Sequence, residues 1–407
     1  MNRQIATLFR LSAVGIALLI TMTAYWQIWA ASSLADRRDN ARLVYRQLQI
    51  KRGLILASNG KTVLAHNKAE RRNGLTLYTR RYPYGPLFAH AVGYNTVGDG
   101  RTALELAENP YLTASNSDLA TVISNIGSTL RGETVTGDNV ITSLSVPAQR
   151  AAQKGLDDAH VTGAVVAIEP RTGRVVAMYS SPSFNPTKVD QNFSKLSAKG
   201  GAPLLNRATQ GLYVPGSVFK IVTAIAGLGS GAVQADTTFP EQPKAEKSGL
   251  VVSGFRIHEH AGVPSRSFDL DAATEWSSNI WYALAGLRTG GQDLTDIAGR
   301  MGFGQPIPFD LPTVRSQVSG GASGPGGFAD DVELANASYG QAKTQVTPLQ
   351  MAMVAATVAN GGILMQPHLV IATTGRGGTH AIGPTEMARV INPADAAAIA
   401  EAMQGAV

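Results

Sequence analysis

Two side chains three positions apart, Ser217 and Lys220 in "GLYVPGSVFKIVTA", carry the first chemistry that can be read from this sequence. A serine hydroxyl becomes a nucleophile when a base stands beside it, and it gains further where the free N–H groups of a helix start can meet a developing oxyanion. In helical context, positions i and i+3 share a face, so the pair can be held in register. Lys220 can serve as the base only when unprotonated, and burial and the positive end of a helix dipole both lower a lysine pKa. The same two residues also fit a plain helix start, with Ser217 as N-cap and Lys220 laying its stem on the surface. Spacing alone does not choose, because Ser58-Asn-Gly-Lys61 repeats it with a hairpin turn between the two residues.

Sixty residues on, "EWSSNIWYALAG" places Ser277, Ser278 and Asn279 between Trp276 and Ile280-Trp281. Three adjacent small polar side chains in an apolar setting need partners, since each is costly to bury without one. They are expected to open or interrupt a helix. The two tryptophans are read as core aromatics. His258-Glu259-His260 offers two imidazoles without a third ligand, so no metal site is expected there. The glycine-rich stretch 321–327 is not followed by Gly-Lys-Ser/Thr, which argues against a phosphate loop.

The elements that must position these residues occupy a chain of 407 residues with 44% hydrophobic content, long enough for two or three domains. Cysteine is absent, which removes disulfides and thiol chemistry. Leu11 to Ala31 is free of charge over 21 residues and reaches roughly 30 Å as a helix, the thickness of a bilayer core. A cleaved signal peptide is the rival reading, but signal cores run only about 7 to 15 residues. Arg3 and Arg10 precede the stretch, which places the N-terminus in the cytoplasm, residues 1–10 as a tail, 11–31 as a single transmembrane helix and everything beyond outside the plasma membrane.

The net charge of +6 is unevenly distributed. Residues 33–81 carry 12 Lys/Arg against three Asp/Glu, and residues 82–407 carry 21 against 26, which argues against a nucleic-acid partner. The basic segment reads as a solvated surface near the membrane. Asn59-Gly60 between apolar runs signals a β-hairpin, "RRYPYGPLFAHAVGY" reads as extended pieces and turns, and "ALELAENPYL" as helix. Residues 32–150 thus form a small α+β module. A strand at Asn139 to Leu144 hands over to a helix opened by Ser145 and Pro147. In the second domain, residues 151–407, Ala164 to Ile168 and Arg174 to Met178 form an antiparallel hairpin. Helices are expected at Thr223 to Leu228, Ala272 to Leu287, Thr347 to Val358 and Ala394 to Met403.

Ser217-x-x-Lys220 followed by Ser277-x-Asn279 resembles the penicillin-recognising serine enzymes. The stretches "AVVAIEPRTGRVVAM", "NRATQGLYVPGSVFK" and "YGQAKTQVTPLQMAMVAATVANGG", with the N-terminal anchor and the "RGLILASNGKTVLA" module, are similar to class B penicillin-binding proteins over nearly the whole chain. The resemblance implies an α+β multidomain fold: an N-terminal transmembrane helix, a pedestal or dimerisation-like module, and a transpeptidase domain whose antiparallel sheet has helices on both faces. It implies that Ser217 attacks the penultimate D-Ala carbonyl of a peptidoglycan stem peptide, that Lys220 takes the serine proton, that Ser277 relays a proton to the leaving amine, and that Asn279, with Ser278 beside it, binds the substrate amide. No cofactor or metal is implied. The expected partners are stem peptides, β-lactam antibiotics, the membrane and cell-wall synthesis proteins including a glycosyltransferase, since no glycosyltransferase domain fits in the N-terminal region.

The family's third motif, Lys-Thr-Gly, has no counterpart here: Arg171-Thr172-Gly173 belongs to the hairpin, Arg288-Thr289-Gly290 ends a helix, and Lys343-Thr344 is followed by Gln345. The transpeptidase domain is therefore expected to be C-terminally incomplete, with activity in doubt. A non-catalytic β-lactam-binding sensor or scaffold is the competing function.

Overall fold

The computed structural model describes residues 2–24, 47–72, 74–116, 134–375 and 377–406. The N-terminal helix runs Asn2–Ala24. Part of the expected span, residues 25–31, lies outside the described residues, and among these no helix is long and apolar enough to cross a membrane.

Asn59-Gly60 makes the turn its composition demands. Gly60 has φ +64°, and the Asn59 side-chain oxygen accepts from the backbone N–H of Lys61 (3.0 Å) and of Thr62 (2.9 Å). The turn joins Ile55–Leu56 to Val63–Arg72, which pairs in turn with Leu75–Arg81, both antiparallel. Asn139–Thr142 adds on the other side, parallel to Ile55–Leu56. The sheet then recruits chain from far downstream: Val370–Gly375 pairs with Asn139–Thr142, and Gly378–Ala381 forms the edge. The resulting six-stranded sheet draws on both sides of residue 150. The stretch read as extended pieces and turns begins as strand to Arg81 and turns at 83–84, but Pro86 and the left-handed Gly85 then start a 3-10 turn at Gly85–Phe88, and Ala89–Val92 continues it as a short helix.

Two basic residues of the segment read as a solvated surface are in fact internal. Arg52 and Arg80, both at most 6% exposed, converge on the fully buried Glu105. Arg52 donates to Glu105 Oε2 through Nη2 (2.8 Å) and Nε (3.1 Å), and Arg80 Nε donates to Oε1 (2.6 Å). Burial pushes the Glu105 carboxyl upward, but the two guanidinium groups outweigh it and hold the group below the usual carboxylate range. Its contribution to stability is therefore present at neutral pH and lost as pH falls through that lowered value. Glu105→Ala leaves two uncompensated buried cations and is expected to destabilise the fold by about 3–5 kcal/mol, read as the shift in a urea unfolding midpoint. A change below about 1 kcal/mol would show the triad to be solvated.

The helix Val146–Asp158, capped by Ser145, links this sheet to the expected hairpin Gly163–Ile168 and Val175–Ser181. Its Gln149 is fully buried and bonds in both directions, donating to Leu87 O (2.8 Å) and Met178 O (2.7 Å) and accepting from Met178 N (2.9 Å). The helix Pro348–Ala359, capped by Thr347, also packs on the hairpin. One apolar core runs from Ile55 and Val140 through Val175 and Phe219 to Trp281 and Leu349. At its centre lies the helix Lys220–Ser230, packed against Asn279–Thr289, Gly291–Arg300 and Pro393–Gly405. The expected helix Ala272 to Leu287 is two, Leu270–Glu275 and Asn279–Thr289, broken at Ser277.

Candidate active site

The serine helix begins with a tight turn. Gly216–Phe219 is 3-10, and the α-helix proper starts at Lys220. Gly216 has φ +60°, a conformation only glycine adopts freely, and its N–H donates to Gly340 O (2.9 Å). A Cβ on Gly340 would stand 1.9 Å from Gly216 O, so the two backbones meet where no side chain fits. Just upstream, Tyr213 and Val346 exchange backbone hydrogen bonds of 2.9 and 2.8 Å. The approach to the serine is therefore held on both sides by main chain. Ser217 and Val218 are left exposed while Phe219 and Lys220 turn inward.

The second wall comes from the break after Glu275. Ser277 sits at φ +50°, unusual for a residue with a side chain, and Ser278 caps the next helix by accepting from Trp281 N (3.0 Å). Strain of this kind persists only where surrounding contacts impose it. Lys220 imposes part of it. Its ammonium, 3% exposed, donates to Ser217 Oγ (3.3 Å), Ser277 Oγ (3.0 Å), Asn279 Oδ1 (3.0 Å) and the carbonyl of Ser277. The face of Tyr282 lies 5.7 Å from the same nitrogen. Burial pulls the Lys220 pKa down to about 8, with the charge of Glu259 working in the opposite direction.

The structure thus brings together all of Ser217, Lys220, Ser277 and Asn279, with Ser278 behind them as a fully buried cap. An exposed hydroxyl 3.3 Å from an amine of depressed pKa, with a second hydroxyl on that amine, can form and break an ester. The Ser58 to Lys61 copy of the spacing is a hairpin turn, as its middle residues indicated. The two tryptophans part company: Trp281 is buried against Phe239 and Tyr282, whereas Trp276 is 36% exposed.

His258-Glu259-His260, where no metal site is expected, lies against the serine-asparagine turn, a position its spacing does not announce. The Glu259 carboxylate accepts from Ser278 Oγ (2.6 Å), Asn279 N (2.9 Å) and Ile280 N (2.6 Å), and His258 O accepts from Asn279 Nδ2 (3.3 Å). A His260 ring nitrogen lies 2.8 Å from Trp276 O. The whole stretch is wrapped around the serine-asparagine turn. Among the described residues no group of three metal-binding side chains is found. An acidic residue beside a helix start could have suggested the role, since carboxylates favour free helix N–H groups, but nothing in the spacing joins residue 259 to 278.

Residues 163–407 match the family model of the penicillin binding protein transpeptidase domain, and residues 52–140 that of the penicillin binding protein A dimerisation domain. The chain is 32% identical to the peptidoglycan D,D-transpeptidase PbpA of Mycobacterium tuberculosis over 98% of its own length and 82% of the relative's. It is 30% identical to the peptidoglycan D,D-transpeptidase MrdA of Acinetobacter baumannii over 74% of this chain and 48% of that one. Among solved structures, the imipenem acyl-enzyme complex of penicillin-binding protein A from M. tuberculosis superposes with a TM-score of 0.79 at 30% identity, covering 88% of this chain and 83% of that one. The penicillin G acyl-enzyme complex of the same protein gives 0.78 at 31%, covering 88% and 82%.

Proposed function

Because the chain belongs to the penicillin-binding protein transpeptidase family, we propose that it cross-links peptidoglycan by serine acyl transfer, with Ser217 as the nucleophile. The observation that carries this is the single ammonium of Lys220 within 3.3 Å of both the Ser217 and Ser277 hydroxyls.

In the acylation step, neutral Lys220 takes the Ser217 proton as the oxygen attacks the carbonyl carbon of the penultimate D-Ala. The tetrahedral adduct collapses with cleavage of the peptide bond, and the departing D-Ala amine receives a proton passed from Lys220 by way of Ser277. Asn279 holds the substrate amide; Ser278, expected to bind beside it, is fully buried and instead caps the turn that carries Asn279. An amino group of a second stem peptide then attacks the ester, forms the cross-link and returns the proton to Ser217. A penicillin enters by the same first step, but its leaving nitrogen stays tethered in the opened ring, so the ester persists.

The N-terminal helix with residues 25–31 anchors the protein in the plasma membrane, with the N-terminus inside and residues 32–150 acting as a pedestal. Glycosyltransferases and other cell-wall synthesis proteins are the partners such an anchored transpeptidase works beside.

The test is incubation of the membrane-bound protein with fluorescent penicillin, followed by mapping of the labelled peptide and assay of D-Ala release from a D-Ala-D-Ala-terminated peptide. Label on a residue other than Ser217 overturns the assignment. Label at Ser217 without D-Ala release under any acceptor makes the chain a β-lactam binder and removes the enzymatic reading.

A further inference from the structure

Behind the serine-asparagine turn lie two carboxyl groups that the acyl-transfer chemistry does not use. Glu259 takes three hydrogen bonds from consecutive residues of the turn, including the N–H of Asn279 itself. Glu246, on the helix Gln242–Ser248, meets it at the Ser278 hydroxyl, which lies within hydrogen-bond distance of both carboxyl groups. Its Oε1 accepts from Gln242 Nε2 (2.9 Å) and stands 3.2 Å from Ser278 Oγ, while its Oε2 is sealed from solvent and meets no donor. Two facing carboxylates would repel, and a buried oxygen without a donor is costly. One proton on Glu246 resolves both, because it turns the orphan oxygen into a donor toward Glu259.

We propose that Glu259 is a positioning residue for acyl transfer, and that Glu246, as a neutral carboxylic acid, locks it onto the Ser278 to Ile280 turn. The inference rests on the transpeptidase reading. Glu259 acts through others: it fixes Asn279, whose side-chain oxygen binds the Lys220 ammonium, and its charge holds the Lys220 proton more firmly. Burial raises the Glu246 pKa to about 7, and the neighbouring charge of Glu259 pushes the same way. Of the remaining ionisable groups nearby, Lys220 and Tyr339 feel the charge of Glu259. Lys244, Lys247, His258 and His260 are exposed, and Tyr282 turns its hydroxyl to Thr274. Tyr339 donates its hydroxyl to Asn336.

The experiment measures second-order acylation by penicillin between pH 6 and 9, with thermal unfolding as a control for folding. Glu259→Gln keeps the size but removes the charge and one acceptor. Its rate is expected to fall about 10- to 100-fold, and the pH at which the rate is half-maximal is expected to move downward, because Lys220 loses the charge that holds its proton. A merely structural role would lower the unfolding temperature without moving that midpoint. Glu246→Ala is expected to cost about fivefold, and Glu246→Gln, which can donate the same hydrogen bond, to recover most of it. This pair carries the test if Glu259→Gln does not fold. An unmoved midpoint in Glu259→Gln, or equal rates for the two Glu246 variants, overturns the inference while labelling of the wild type upholds the functional reading. A wild-type chain that takes no label overturns both.

Discussion

Ser217→Ala is expected to abolish covalent labelling by penicillin and all release of D-Ala, while the protein stays folded and still binds the antibiotic weakly and reversibly. The hydroxyl is the atom that forms the ester, so its loss removes the intermediate and does not merely slow it. For a serine acyl enzyme, removal of the nucleophile alone costs on the order of 10⁶ in turnover. The side chain is exposed near the start of a 3-10 turn whose first residue, Gly216, is held by Gly340 and whose approach at Tyr213 is held by Val346, so trimming it should leave the turn in place. Intact-protein mass spectrometry checks the result: an adduct of one penicillin on the wild type and none on the variant. An adduct that survives places the nucleophile elsewhere.

Lys220→Met carries the second large effect. Methionine fills a similar volume and keeps the apolar stem, but it can neither accept the serine proton nor bridge Ser217, Ser277 and Asn279. General-base catalysis accounts for about 10² to 10⁴ of the rate, and the lost bridge adds to this, so acylation should fall by at least about 10³. In the wild type the active form is the neutral amine. With the Lys220 pKa brought down to about 8, roughly a tenth of the molecules carry it at pH 7, and acylation should rise with pH below that midpoint and stop rising above it. Stopped-flow acylation rates across pH 6 to 9 make the measurement. A rate independent of pH over that range would remove Lys220 as the base.

Much of this site could be read before any coordinate. Ser217, Lys220, Ser277 and Asn279 announce themselves because two short motifs carry their own local geometry: one turn of helix places Lys220 by Ser217, and a break in a second helix places Ser277 by Asn279. The Asn59-Gly60 hairpin, the strand pair around 169–173 and the cap at Ser145 were legible for the same reason. What escaped reading is long-range. Glu259 reaches residues 278 to 280 only after the chain has folded back, and the Arg52, Arg80 and Glu105 cluster joins three segments whose charges look like surface residues taken one at a time. The recruitment of Val370–Gly375 into a sheet begun at residue 55 likewise leaves no local trace, because a strand's composition records its burial and not its neighbour.

That distant strand has a mechanical consequence. Asn139–Thr142 lies between Ile55–Leu56 and Val370–Gly375, and Gln149 stitches the helix that follows it to the hairpin 163–181. Residues 55 and 370, more than 300 positions apart, are therefore tied into one ladder of hydrogen bonds through a single intervening strand, so a displacement of either one strains the pairing of the other.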